Sequence, residues 1–107
     1  MKLTELHPTL YSDQAFSIDC PCGKCRSRIR IYIDPNAKPN EVRGGKCVWR
    51  SSGEFPYTLT LTPSIRVTPW TRPSPLDMQD PEKAALWNSG HCDGWHGYIR
   101  AGEVISA

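Results

Sequence analysis

The sequence predicts a small, mostly β fold of the α+β class, with one short helix near residues 81–88 and a zinc ion that joins the two ends of the chain. Three observations support this prediction. The 107 residues include ten prolines and eight glycines but only 38% hydrophobic residues, which favours short strands and ordered loops. Several segments alternate apolar and polar side chains, as strands do. Cysteine and histidine residues cluster at both ends of the sequence, and a bound metal often supplements so small a core.

The chain length predicts a single zinc-binding domain spanning residues 1–107. Residues 1–14 contain Leu3, Leu6 and Leu10, so we expect them to form a packed N-terminal arm. The sequence has no run of 18 apolar residues and no apolar segment typical of a secretion signal. We therefore expect a cytoplasmic protein of a bacterial host cell, whose cysteines stay reduced and available to a metal.

The clearest predicted strand covers residues 26–34. Ser27 and three isoleucines fall on one face of this segment, whereas three arginines and Tyr32 fall on the other. This alternation is expected of a strand with one face in the core. A shorter strand at residues 15–19 is predicted to lead the chain into the first cysteines.

The remaining elements are predicted from alternation and from turn residues. Asp80 and Pro81 suit the start of a helix, and Gly90 suits its end. A β-hairpin is predicted within residues 46–62, and a second strand pair surrounds a turn at Ala101–Gly102. The strands expected there cover residues 46–50, 57–62, 98–100 and 103–105.

Two segments carry the candidate metal ligands. Zinc takes four sulfur or nitrogen ligands in a tetrahedron, and the CxxC spacing lets a tight turn aim two thiolates at one point. The first segment, Cys20-Pro-Cys22-Gly-Lys-Cys25, supplies three thiols, and the second, Cys92-Asp-Gly-Trp-His96, supplies a thiol and an imidazole. Because these are five groups for four positions, the sequence leaves open which four bind.

Other cysteine and histidine residues have simpler interpretations. Cys47 stands alone in a predicted strand, so we interpret it as a buried core residue, a common environment for a free thiol. His91 precedes Cys92, and we interpret it as an exposed residue or a neighbour of the metal ligands. His7 has no partner in the sequence.

The richness in sulfur favours a structural zinc over a catalytic one. A catalytic zinc would keep an open position and need a general base, for which Glu54, Asp93 and Glu103 are the candidates. A redox-active dithiol at Cys22 and Cys25 is a further alternative, although the βαβ pattern that usually surrounds such a motif is absent.

A stripe of arginines at Arg26, Arg28 and Arg30 is a candidate partner-binding surface. Beside Lys24 it could contact phosphates of a nucleic acid in a salt-dependent manner. The simpler interpretation, which we favour, is the solvent-exposed face of an amphipathic strand. The net charge of +2 does not by itself indicate a nucleic-acid partner.

Three segments, in this order, resemble an uncharacterised family of small bacterial and phage proteins. They are Cys20-Pro-Cys22-Gly with Cys25, then Leu61-Thr-Pro-Ser-Ile65, then Cys92-Asp-Gly-Trp-His96 followed by an aromatic residue, an isoleucine and a glycine turn. The resemblance covers roughly residues 16–105. It implies metal binding, and some members of that family lie beside ubiquitin-like conjugation genes. We expect the middle segment to pack beside the metal site and assign it no chemistry.

These observations favour a small non-enzymatic metal-binding protein whose structural zinc secures a recognition surface. Such a protein would be an adaptor, encoded by a phage or another mobile element, with a protein as its partner. One alternative is a small zinc-dependent hydrolase associated with ubiquitin-like conjugation. The other is a nucleic-acid-binding module that uses the arginine stripe.

Overall fold

A computed structural model describes all residues, 1–107, and contains nine strands, one α-helix and two short 3₁₀ helices. The strands are β1 (Thr9–Ser12), β2 (Ala15–Asp19), β3 (Arg28–Asp34), β4 (Glu41–Arg43), β5 (Lys46–Ser52), β6 (Thr60–Thr62), β7 (Ile65–Val67), β8 (Trp95–Arg100) and β9 (Glu103–Ser106). The helix α1 is Pro81–Asn88, and the 3₁₀ helices are Leu3–Leu6 and Asp77–Gln79. The predicted mostly β class, with one short helix near residues 81–88, is confirmed. None of the helices is long and apolar enough to cross a membrane.

The larger sheet has six strands in the order β1-β2-β3-β5-β4, with β6 paired to another part of β5. Strands β3 and β5 are parallel, and the other pairs are antiparallel. The pairing of Arg50 with Thr62 confirms the hairpin predicted within residues 46–62. Its second strand is shorter than predicted, because the backbone N–H of Thr58 donates to Glu54 O in a turn.

The smaller sheet is a three-stranded antiparallel sheet in the order β7-β8-β9. Its β8–β9 hairpin confirms the predicted strand pair. Both residues of the connecting turn have left-handed backbone angles, with φ of 49° at Ala101 and 77° at Gly102, as a two-residue hairpin turn requires. A Cβ atom at Gly102 would lie 2.1 Å from Tyr57 O, so the turn packs against a neighbouring loop that leaves room only for glycine.

The core is built from side chains of both sheets. The N-terminal segment is part of it, because Leu3 N–H donates to Gly102 O at 2.8 Å and Val104 N–H donates to Met1 O at 2.7 Å. On β3, Ile31 and Ile33 are buried while Arg28 and Arg30 are exposed, as the alternation predicts. The largest fully buried side chains are those of Leu3, Phe16, Ile18, Ile31 and Ile99.

Cys47 does not belong to this core. The side chain of Cys47 is exposed, and Cys47 pairs with Val42 of the short strand β4. Because the neighbouring Val48 points into the core, alternation along β5 turns Cys47 to the opposite side. The expectation that this cysteine is buried is therefore wrong.

Candidate active site and cysteine cluster

Four cysteines from the two ends of the chain meet in one cluster. The thiols of Cys20, Cys22, Cys25 and Cys92 all lie within 4.8 Å of one another. The sulfur atoms of Cys20 and Cys92 are 3.8 Å apart, and those of Cys22 and Cys25 are 3.5 Å apart. The five cysteines of the chain are all free thiols. Four thiols at such distances can hold a metal ion between them, because tetrahedral thiolate sites need this convergence.

Backbone N–H groups point at these sulfur atoms. Lys24 N–H and Cys25 N–H both donate to Cys22 Sγ at 3.4 Å, and Gly94 N–H donates to Cys92 Sγ at 3.4 Å. Burial raises the pKa of the Cys22 thiol, but the two N–H donors, together with hydrogen bonds from the Cys25 and Cys20 thiols, lower that pKa to about 7. Such donors stabilise a thiolate, which is the form that binds a metal.

The thiols of Cys20 and Cys92 are more deeply buried. Burial raises the pKa of the Cys20 thiol and that of the Cys92 thiol. Since four closely packed thiols cannot all ionise without a compensating positive charge, the cluster favours a bound cation over a set of free thiolates.

A polar network outside the cluster joins the same two segments. Lys24 Nζ donates to Asp93 Oδ2 at 2.9 Å, and His91 Nε2 lies 2.8 Å from Asp93 Oδ1. The Lys24 ammonium keeps the pKa of the Asp93 carboxyl below its usual value. The His91 ring also stacks on Trp87 of α1, with ring centroids 3.7 Å apart. Lys24, His91 and Asp93 therefore hold the two cysteine segments together from outside.

The fifth candidate ligand, His96, is not in the cluster. Its side chain is exposed, and Nε2 lies 3.0 Å from the hydroxyl Oγ of Ser64. The structure thus brings together the four predicted cysteine ligands and places the imidazole beside a serine. Neither this serine nor its pairing with His96 was identified from the sequence, where residues 61–65 carried no assigned chemistry.

Strand register explains why Ser64 and His96 meet. Ile65 of β7 pairs with Gly97 of β8, and Arg66 pairs with His96. Ser64 precedes β7 by one residue, so its side chain falls on the same face of the sheet as those of Arg66 and His96. Residues diagonal to each other across two strands are within reach of a long side chain such as an imidazole.

The main chain at Ser64 is held by the larger sheet. The indole N–H of Trp49, on β5, donates to Ser64 O at 3.2 Å. Ser64 is half-buried, and a cavity of about 570 Å³ opens beside it, lined in part by Thr60, Tyr98 and Arg100. A hydroxyl hydrogen-bonded to an imidazole at the edge of a cavity is the arrangement that nucleophilic catalysis needs.

The arginine stripe is partly engaged within the protein. Arg28 donates to Asp19 Oδ1 at 2.8 Å and to His7 O at 2.8 Å. The guanidinium of Arg30 lies 4.3 Å above the Tyr11 ring centroid. Arg26 is exposed and forms no ion pair. Two of the three arginines therefore have intramolecular partners.

The three residues predicted as candidate general bases for a catalytic zinc all lie outside the cysteine cluster. Asp93 is held by Lys24 and His91, as described above. Glu103 lies 3.9 Å from the N-terminal amino group, and Glu54 lies in the turn that ends at Thr58. None of the three is a member of the cysteine cluster.

Comparison with known proteins identifies the family of the chain. Neither a curated protein nor a solved structure matches the chain significantly. A family model does match it, over residues 3–107, and its description is bacterial ubiquitination-like system serine protease, BubE. Since this match covers nearly the whole chain, the protein belongs to the BubE family of bacterial ubiquitination-like systems.

Proposed function

We propose that the protein is a serine protease that acts in a bacterial ubiquitination-like system, with Ser64 as nucleophile and His96 as general base. The observation that carries this proposal is the 3.0 Å separation between Ser64 Oγ and His96 Nε2. This distance is within the range that proton transfer from the hydroxyl requires. The family description supplies the setting and the reaction class.

The reaction follows from the geometry of the pair. Ser64 O–H donates to His96 Nε2, which takes the proton as Oγ attacks the carbonyl carbon of the substrate amide. The resulting imidazolium then gives this proton to the leaving nitrogen, and the C–N bond breaks to leave an acyl-serine ester. Water, deprotonated by His96, hydrolyses the ester and restores the hydroxyl. No carboxylate hydrogen-bonds to His96, so the pair works as a dyad.

The proposal differs from the functions favoured by the sequence. The hydrolase alternative shares its setting, ubiquitin-like conjugation, but it required an open zinc position and a metal-bound water. The four clustered cysteines can supply all four ligands of a tetrahedral site, so we propose that the metal is zinc and that its role is structural. In the protease, a zinc ion held by the four cysteines would fix the segment that leads from Cys92 into β8, where His96 is located.

Covalent labelling tests the nucleophile. A fluorophosphonate reacts with an activated serine hydroxyl and needs no knowledge of the substrate. We expect the wild-type protein to be labelled at Ser64, Ser64→Ala to be unlabelled, and His96→Gln to be labelled about 10²- to 10⁴-fold more slowly. Exposed residues elsewhere provide matched controls, Ser52→Ala and His7→Gln. Labelling of Ser64→Ala at the wild-type rate would reject Ser64 as the nucleophile.

Elemental analysis tests the metal site. We expect one zinc per chain in the wild-type protein and a large loss of zinc in Cys92→Ser. Because His96 lies outside the cluster, His96→Gln should retain its zinc, and so should Cys47→Ser. If the His96→Gln protein folds but lacks zinc, His96 is a metal ligand and cannot be the general base of the proposed dyad.

A further inference from the structure

One edge of the smaller sheet is free beside Ser64. Strand β7 pairs with β8 on one side only, and no strand covers its other edge. An uncovered edge presents backbone N–H and C=O groups that can pair with an added strand. This edge begins at Ile65, one residue after Ser64.

The hydrogen-bond pattern shows which residue of β7 points outward. Ala107 N–H donates to His96 O, so the backbone groups of His96 face β9. Because these groups alternate in direction along an antiparallel strand, those of Trp95 and Gly97 face β7. Their partners on β7 are Val67 and Ile65. The intervening Arg66 is thus the non-hydrogen-bonded partner of His96, and its own N–H and C=O point away from β8.

The surface around this edge carries positive charge. Arg66 is exposed and forms no ion pair, and the guanidinium of Arg100 stacks 4.3 Å above the Tyr98 ring centroid without a carboxylate partner. Arg66, His96 and Arg100 fall on the same face of the sheet by the alternation rule. The carboxylate of Glu103, which is opposite Arg100 on β9, lies 3.9 Å from the N-terminal amino group and forms no ion pair with Arg100. Asp93 is paired with Lys24. The two guanidinium groups on the face that carries His96 therefore form no ion pair within the protein.

Cavities lie on both sides of the Ser64–His96 pair. One of about 570 Å³ is lined in part by Thr60, Tyr98 and Arg100. The other, about 330 Å³, is lined in part by Arg66, Pro69 and His96. A peptide passing through both would have its scissile bond at Ser64 and one arginine on either side.

We propose that the substrate is an extended acidic peptide segment that adds as a strand to the free edge of β7. One residue of this segment exchanges two backbone hydrogen bonds with Arg66, and its carboxylates pair with the guanidinium groups of Arg66 and Arg100. The segment runs antiparallel to β7, so its N-terminal part lies beside Arg66 and its C-terminal part beside Arg100. The identity of the substrate segment rests on the proposed protease function, whereas its binding can be measured without catalysis.

Strand geometry gives the spacing of the acidic residues. Arg66 is opposite His96, and Arg100 lies four residues farther along β8. At about 3.3 Å per residue this is roughly 13 Å, the length that four residues of an extended peptide span. The best substrates should therefore carry two acidic residues four positions apart, with the cleaved bond between them.

Peptide binding to the Ser64→Ala protein tests this inference. Fluorescence anisotropy would compare short extended peptides that carry two glutamates four residues apart with peptides that carry glutamine at the same positions. We expect the acidic peptides to bind about tenfold more tightly, since each exposed ion pair contributes a few-fold, and the difference to shrink as salt is added. Arg66→Gln and Arg100→Gln should each reduce this difference in affinity. Arg26→Gln should not, because Arg26 lies outside both sheets and lines neither of the two cavities.

Backbone pairing needs its own test. N-methylation removes one N–H of the peptide at a time, and we expect weaker binding only at alternate positions, because only alternate residues of a strand face the partner. Arg66→Pro removes the outward N–H of β7 itself, a change that an edge strand tolerates. It should weaken binding more than Arg66→Gln, with thermal unfolding used to verify the fold.

The outcomes separate the two proposals. Equal binding of acidic and glutamine peptides, or a uniform effect of N-methylation, would overturn the acidic-strand inference even if the fluorophosphonate labels Ser64. An unlabelled Ser64 in a protein that still prefers acidic peptides would instead overturn the protease function and leave the peptide site in place.

Discussion

At the scale of single residues, the main chain of the proposed nucleophile, Ser64, is held by a side chain of the other sheet. The indole N–H of Trp49 on β5 donates to Ser64 O, and Trp49 also packs against the core. This contact fixes the peptide unit from which the hydroxyl of Ser64 projects. Small errors in the placement of a nucleophile reduce its reactivity strongly, so we expect Trp49 to act as a positioning residue.

Replacing Trp49 by phenylalanine tests that role. Trp49→Phe removes the N–H donor and retains an aromatic ring, so it should cost about 1 kcal/mol of unfolding free energy and slow fluorophosphonate labelling several-fold. Trp95→Phe is the matched control, because Trp95 Nε1 donates to Ser106 Oγ at 2.9 Å and its side chain lies on the face of β8 opposite His96. Stability from urea unfolding and labelling rate would be measured together. Equal slowing in both variants would argue against positioning by Trp49.

At the scale of elements, the β8–β9 hairpin determines where His96 lies. Its turn at Ala101–Gly102 packs against the loop before β6, where Gly102 N–H donates to Leu59 O at 2.9 Å. The same turn receives the N-terminal segment through Leu3. The position of the histidine thus depends on a turn that two other parts of the chain contact.

Alanine substitutions at two glycines would measure how much the packing of this turn contributes to stability. Gly44 and Gly102 both have positive φ, of 56° and 77°, but a Cβ atom would meet nothing within 4 Å at Gly44 and would lie 2.1 Å from Tyr57 O at Gly102. Gly44→Ala should cost about 1–2 kcal/mol from the left-handed backbone alone. Gly102→Ala should cost about 1–3 kcal/mol more, because the backbone must move to accommodate the methyl group. Thermal or urea unfolding measures both, and equal losses would contradict the close contact.

Individual elements also show which parts of the fold could be predicted from the sequence. The helix followed from Asp80, whose carboxylate accepts from Glu82 N–H at 2.9 Å, and the central strand followed from its alternating isoleucines. Both signals are local. The short strands β4 and β7 were missed, because three residues carry too little alternation and are stabilised by their partners.

In the candidate site, too, the features with a local sequence signal were predictable and those that depend on strand pairing were not. The cysteine cluster was predictable, since the spacing of Cys20, Cys22 and Cys25 is itself a ligand motif. The Ser64–His96 contact was not, because it depends on the register of β7 against β8 and joins residues 32 apart in the chain. A histidine beside a cysteine-rich segment was therefore interpreted as a ligand.

At the scale of the whole molecule, the structure has two buried clusters. The main core joins both sheets, while Cys20, Cys25 and Cys92 form a separate cluster. Ile29 packs against both of them. The smaller cluster has few apolar contacts of its own, so its stability should come mainly from the metal that we propose it binds.

Removal of the metal tests this division. Chelation should lower the melting temperature by at least about 10 °C, the effect of a loss of about 2 kcal/mol in a domain of this size. It should also slow labelling of Ser64, because β8 begins three residues after Cys92. Re-addition of zinc should restore both, with the Cys47→Ser protein behaving identically. An unchanged melting temperature in protein verified to be metal-free would show that the cluster does not support the fold.

The turn at Ala101–Gly102 and the thiol of Cys92 fasten the two ends of the segment that contains His96. Between these fixed points, successive side chains alternate between the two surfaces of the sheet. An insertion or deletion of one residue there would exchange odd and even positions, so that an indole or a bare glycine would occupy the place of the imidazole. The length of the segment from residue 93 to residue 100, and not only its composition, is therefore a requirement of the proposed hydrolysis.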